Sequence, residues 1–99
     1  MRQVPQDLYD RLVALRRELH RYPEISWEET RTAGVFQLFL QSFGIQCRTN
    51  VAGTGVIADI SGKTGVPSVV LRADTDALPI QEETGLEFAS VHNGVMHAC

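Results

Sequence analysis

A stretch that begins as a continuous apolar run and ends in acid constrains this chain more than any other feature. Val69 to Pro79 reads Val-Val-Leu-Arg-Ala-Asp-Thr-Asp-Ala-Leu-Pro. A continuous apolar segment of this kind is expected of a strand buried on both faces, which requires neighbouring strands and helices packed over the sheet. The run closes on two carboxylates one residue apart, Asp74 and Asp76, and strand ends are where open α/β sheets place their chemistry. The same Asp-x-Asp also suits a plain turn, with the side-chain oxygens accepting nearby backbone N–H groups. A second run, Gly94-Val95-Met96-His97-Ala98-Cys99, places a histidine and a cysteine two residues apart, on one side of an extended backbone. Read alone, it is equally compatible with packed or solvated side chains.

Upstream, the apolar periodicity is helical. Asp7 is the expected N-cap of a first helix, in which Leu8, Leu12, Leu15 and Leu19 form one stripe. Arg16, Arg17, His20 and Arg21 gather at its C-terminal end, where the helix dipole favours cations, and Pro23 stops it. Ser26-Trp27-Glu28-Glu29 has the form of a capping box for a second helix that runs to about Phe43. Phe36, Phe39, Leu40 and Phe43 give that helix an apolar face for core packing, and Gly44 supplies its stop.

The period then changes to two. Ile45, Cys47, Thr49 and Val51 alternate with Gln46, Arg48 and Asn50, as in a strand with one buried face, and Cys47 reads as a small core residue. Ala52-Gly53-Thr54-Gly55 turns the chain into a second strand, Val56 to Ile60, antiparallel to the first. Gly53-x-Gly55 lacks the third glycine of a dinucleotide loop and does not open a helix. The central run, Ser68 to Arg72, is the third strand. Beyond Pro79, Gln81-Glu82-Glu83-Thr84 suits a short helical turn closed by Gly85, with Glu82 and Glu83 solvating it, and Leu86 to Asn93 reads as loop with His92 in solvent.

Composition narrows the function classes. With 99 residues, 43% hydrophobic and 21% charged, the chain is of ordinary globular type, large enough to bury roughly 65% of its unfolded surface. A net charge of −3 with dispersed basic residues gives no footprint for nucleic acid or for an anionic membrane. No apolar run approaches the ~18 residues of a membrane span, and the amino-terminal stretch lacks the apolar core of a signal peptide. A cytoplasmic location is expected, with Cys47 and Cys99 as free thiols.

Together with Leu19-His20-Arg21-Tyr22-Pro23-Glu24 and Pro79-Ile80-Gln81-Glu82-Glu83-Thr84-Gly85, the two runs resemble the start of the metal-dependent amidohydrolases that cleave N-acyl amino acids. That family includes hippurate hydrolases, aminoacylase-like enzymes and plant indoleacetic acid-amino acid hydrolases, within the two-metal exopeptidases. The resemblance covers Leu12 to Cys99. It implies the N-terminal part of an α/β/α sandwich with a mixed sheet, here two helices followed by about three strands. It also implies that residues 1–99 are the N-terminal portion of the catalytic domain, and that a dimerisation domain, absent here, is inserted later.

The activity so implied is hydrolysis of a small N-acyl amino acid with two divalent metal ions, Mn²⁺, Zn²⁺ or similar, in an enzyme that can form a homodimer. In the family, Met-His-Ala-Cys is followed by Gly-His-Asp, so the 99 residues are expected to be inactive by themselves and not to hold the two metals. The resemblance makes Cys99 a thiolate ligand. Elsewhere among the two-metal exopeptidases the strand end carries His-x-Asp, and Asp74 stands here in the histidine's place. Asp76 is thereby expected to be the carboxylate that orients a ligand by hydrogen bonding. Asp74 and His97 become secondary members of the site, and His20 and Glu24 are structural. The competing readings are a non-catalytic truncated remnant and a small α/β module that holds a cation in its acidic loop.

Overall fold

The structure is a computed structural model that describes residues 3–99. Met1 and Arg2, part of the amino-terminal stretch read as lacking a signal-peptide core, lie outside the described residues. Helix α1, Gln6–Arg21, and helix α2, Thr30–Gln41, precede two antiparallel strands, β1, Cys47–Val51, and β2, Gly55–Ala58.

Helix α1 buries only part of its leucine stripe: Leu8, Leu15 and Leu19 are half-buried and Leu12 is exposed. Its N-cap position is Pro5, not Asp7, which sits in the first turn where its charge still favours the dipole. The helix ends at Arg21, with Tyr22 as its C-cap and the buried Pro23 behind it.

The start of α2 departs from the expected capping box. Ser26 lies four residues before the helix, and its hydroxyl donates to Asp76 at 2.7 Å instead of accepting from Glu29. Glu24 takes over the capping role from outside the helix. Its carboxylate accepts the backbone N–H groups of Arg31, at 3.0 Å, and Thr32, at 2.6 Å, which are among the donors a helix start leaves unpaired. The intervening turn puts Trp27 at φ 71, in the left-handed region that a bulky residue enters only at a cost.

Gly44, at φ 73, reverses the chain after α2. In the β1–β2 hairpin the register pairs Cys47 with Ala58, Arg48 with Ile57 and Val51 with Gly55, with an irregularity between Arg48 and Val51. Gly55 is required there, because a Cβ would sit 2.6 Å from the Val51 carbonyl oxygen. Burial alternates along both strands, as the sequence period implied.

Two segments differ from expectation. Ser68 to Arg72 pairs with no strand among the described residues, and Val69, Val70 and Leu71 are 85%, 87% and 94% exposed. Double-sided burial needs partners on both edges and both faces, and the hairpin and two helices do not supply them. Gln81 to Thr84 forms no helical turn; their side chains organise the loop around them instead, as described below.

Beyond the hairpin, two isolated bridges tie the molecule together: Ile25 pairs in parallel with Ala77, and Leu78 pairs antiparallel with Met96. Ala77, between them, is 3% exposed and is the fully buried hydrophobic side chain among the described residues. The accessible surface of 7923 Å² exceeds the roughly 5,600 Å² that area scaling gives for a chain of this size. Likewise, the radius of gyration of 15.4 Å exceeds the roughly 12.6 Å of a compact domain of this length. Large apolar surfaces therefore remain uncovered.

Candidate functional site

The two bridges set the site. The parallel pairing of Ile25 with Ala77 places Ser26 beside Asp76, and the antiparallel pairing of Leu78 with Met96 brings His97 toward the same strand end. Asp76 accepts the Ser26 hydroxyl at 2.7 Å. That hydrogen bond and a second from backbone hold the Asp76 carboxyl below its usual range, so it is ionised at neutral pH.

Asp74 points differently. Arg72 donates to it at 2.6 Å across a solvent-exposed pair. With His97 and Cys99, Asp74 lines a cavity of about 220 Å³ walled by Leu19 and His20 of α1 and Thr32 and Phe36 of α2. Asp76 does not line that cavity. It faces a neighbouring cleft shared with Ser26, Trp27 and Arg72, and Asp74 borders both spaces. The acidic tip and the terminal thiol thus share a cavity through Asp74, while Asp76 lies in the adjoining cleft.

His97 is half-buried, and its Nε2 is buried with no hydrogen-bond partner among the described residues. Burial first, and then the neighbouring His20, push its basicity down, while Asp76 opposes them. A neutral imidazole carries one N–H donor and one bare nitrogen, so the ring can donate at one side and accept at the other. Cys99 is exposed and, like Cys47, a free thiol.

Glu82, read from sequence as a solvating residue, has a side chain only 3% exposed. It receives His20 Nε2 at 2.9 Å, the Ser90 backbone N–H at 2.8 Å and the Thr84 hydroxyl. The Thr84 hydroxyl contributes most, followed by the Ser90 N–H and His20, and together they pull the Glu82 carboxyl down to about 2. An ionised carboxylate only accepts, so the His20 ring must present an N–H at Nε2. The 62-residue separation of the pair leaves no periodic signal in the sequence.

Among the described residues, no three His, Cys, Asp or Glu side chains converge to hold a metal. Cys99 supplies one exposed sulfur donor, and the described residues do not by themselves fit a dinuclear centre.

No family model matches the chain. Individual relatives do. It is 51% identical over 92 residues to the N-acetyl-L-cysteine deacetylase of Bacillus subtilis, covering 93% of this chain and 22% of the relative. It is 48% identical over 88 residues to the N-acyl-L-amino acid amidohydrolase of Geobacillus stearothermophilus, covering 89% of this chain and 24% of that enzyme. The crystal structure of the Bacillus subtilis YXEP protein, a dinuclear metal binding peptidase from the M20 family, superposes with a TM-score of 0.89. That match has 43% identity and covers 96% of this chain and 27% of that one. Over nearly its whole length the chain is thus similar to part of each of these hydrolases. It spans about a quarter of the length of the curated relatives it matches. The α/β arrangement of two helices followed by a small antiparallel sheet is that of the corresponding part of the M20 structure. Among the described residues, no helix is long and apolar enough to cross a membrane.

Proposed function

We propose that residues 1–99 form the N-terminal portion of the catalytic domain of a hydrolase that cleaves the amide bond of small N-acyl amino acids. The observation that carries this reading is the cavity where Asp74, His97 and Cys99 meet, in a chain 48% identical to an N-acyl-L-amino acid amidohydrolase. The dinuclear relative supports two divalent metal ions in the complete enzyme. The proposal adds Mn²⁺ and Zn²⁺ as candidates and Cys99 as a thiolate ligand. When bound, such ions supply an activated water and polarise the scissile carbonyl.

The residues in hand contribute placement and charge. Asp76, ionised and pinned by Ser26, holds a fixed negative charge beside His97 and orients what gathers there. Asp74 borders both the cavity and the adjoining cleft, and its position beside Arg72 makes it a secondary member. His97 lines the cavity, with its Nε2 buried behind the cavity wall and without a hydrogen-bond partner among the described residues. The reading extends to a cytoplasmic enzyme that can form a homodimer and does not engage nucleic acid or membranes.

The test is release of free amino acid from N-acetyl and N-benzoyl amino acids by the full-length protein with Mn²⁺, Zn²⁺ or Co²⁺. Chelation abolishes turnover, Cys99→Ser lowers it at least about 100-fold, and Asp76→Asn lowers it roughly 10- to 100-fold. The isolated 99 residues give no turnover with any of these metals. Hydrolysis that survives both chelation and Cys99→Ser would overturn the proposal.

A further inference from the structure

The segment that carries His97 and Cys99 emerges from a long loop, residues 79–95, that contains no regular helix or strand. Its two ends are closed on each other by paired hydrogen bonds, Leu78 N–H to Met96 O at 2.9 Å and Met96 N–H to Leu78 O at 3.0 Å. Such an excursion holds one shape only if its interior polar groups are paired. Here the pairing comes largely from two adjacent side chains. Gln81 Oε1 accepts the Gly94 N–H at 2.7 Å, and Glu82 accepts the Ser90 N–H, the Thr84 hydroxyl and His20.

His20 is where this loop meets helix α1. Its side chain is 10% exposed, bonded to Glu82 on one side and set edge-on against Phe88 at 5.6 Å. It also lies 6.5 Å from the His97 ring and lines the same cavity as His97 and Cys99. A change in the His20 ring therefore reaches His97 directly, and the Cys99 backbone follows two residues later.

We infer that Glu82 and His20 are a positioning pair, which sets where the His97-Ala98-Cys99 segment leaves the loop and faces Asp74. A pair of this kind need not raise stability, since buried charged or polar pairs are often energetically neutral relative to apolar replacements. Its effect is to select one arrangement of the loop. This assignment rests on the amidohydrolase reading for its catalytic meaning, but the geometry it describes exists without turnover.

The test uses the two cysteines of the full chain, stripped of metal by a chelator. Iodoacetamide alkylation of Cys99 and Cys47 is followed separately, peptide by peptide, in the wild type, Glu82→Gln, His20→Gln and the double variant. Each single variant shifts the Cys99 rate at least roughly threefold, while Cys47, half-buried in β1, stays within about twofold. The double variant shifts the Cys99 rate no further than the larger of the single variants, as expected when both changes act on one pair. Thr84→Val removes one donor to Glu82 and leaves His20 in place, so it gives a smaller shift at Cys99 and decides the matter if a single variant fails to fold.

Unchanged Cys99 rates overturn the assignment. So do Cys99 and Cys47 rates that rise together, since that reports general loosening. In the metal-loaded enzyme, the single variants lower kcat about tenfold with KM within about twofold, as expected when placement and not substrate binding is lost. A wild type without amide hydrolysis would count against the proposed function alone, because the thiol rates do not depend on it.

Discussion

Glu82 shows how a residue's meaning depends on what the chain brings to it. In sequence it is one of two adjacent acids before Thr84 and Gly85, a pattern of helical turns and solvated edges. In the folded chain it is nearly inaccessible and surrounded by donors, and its carboxyl is held at about 2. Because that value lies below the ordinary 4.5 of an unfolded glutamate, its contribution to stability is fully present above about pH 4.5. It is lost as the pH falls from there toward 2. Urea unfolding measured across that window should show wild type losing stability more steeply than Glu82→Gln, which has no proton to take up. Parallel curves for the two proteins would mean that the carboxylate gains nothing from its donors. None of this was legible in the sequence, because His20 lies 62 residues away on α1, and the loop shape that turns Thr84 and the Ser90 N–H onto Glu82 has no periodic signal.

At the scale of elements, what depended on periodicity was legible and what depended on exchange between elements was not. The leucine and phenylalanine stripes located both helices, and the alternation from Cys47 to Val51 located a strand with one covered face. The capping of α2 was misread for a physical reason. Ser26 had two acceptable partners, the start of a helix and a carboxylate fifty residues away, and the parallel bridge at Ile25 and Ala77 delivers the carboxylate. Glu24 then meets the helix donors that Ser26 leaves, and burial, which pushes its carboxyl up, is outweighed by hydrogen bonds from Thr32, Arg31 and Thr30.

The two substitutions should therefore separate cleanly. Glu24→Ala costs about 1 kcal/mol, the ordinary loss for a helix cap, and weakens amide protection at Arg31 and Thr32. Ser26→Ala leaves that protection unchanged and instead raises the Asp76 carboxyl toward its usual range, measured by carbon-detected titration. A Ser26→Ala protein that loses protection at the start of α2 would restore the capping box.

Taken whole, the molecule has more surface than a closed domain of its length, and the excess is concentrated where the sequence demanded burial. The run from Val69 to Leu71 carries the pattern of a central strand yet lies almost fully exposed, with Ile60 and Val66 also uncovered. Apolar exposure of this extent on a backbone free to pair is a template for association, since unpaired N–H and C=O groups accompany the uncovered side chains. The same residues should therefore behave oppositely in two settings. In the isolated 99 residues, Val70→Lys removes nothing from a core and changes stability by less than about 0.5 kcal/mol, while suppressing self-association seen by sedimentation at micromolar concentration. In the full-length protein the proposed function places this run inside a sheet, and there the same change would bury an unpaired ammonium and cost several kcal/mol. If Val70→Lys is harmless in both, the apolar run is not an inner strand in either. The placement of Asp74 and Asp76 at a strand end then loses its physical basis, since it is the covered strand that fixes where those carboxylates project.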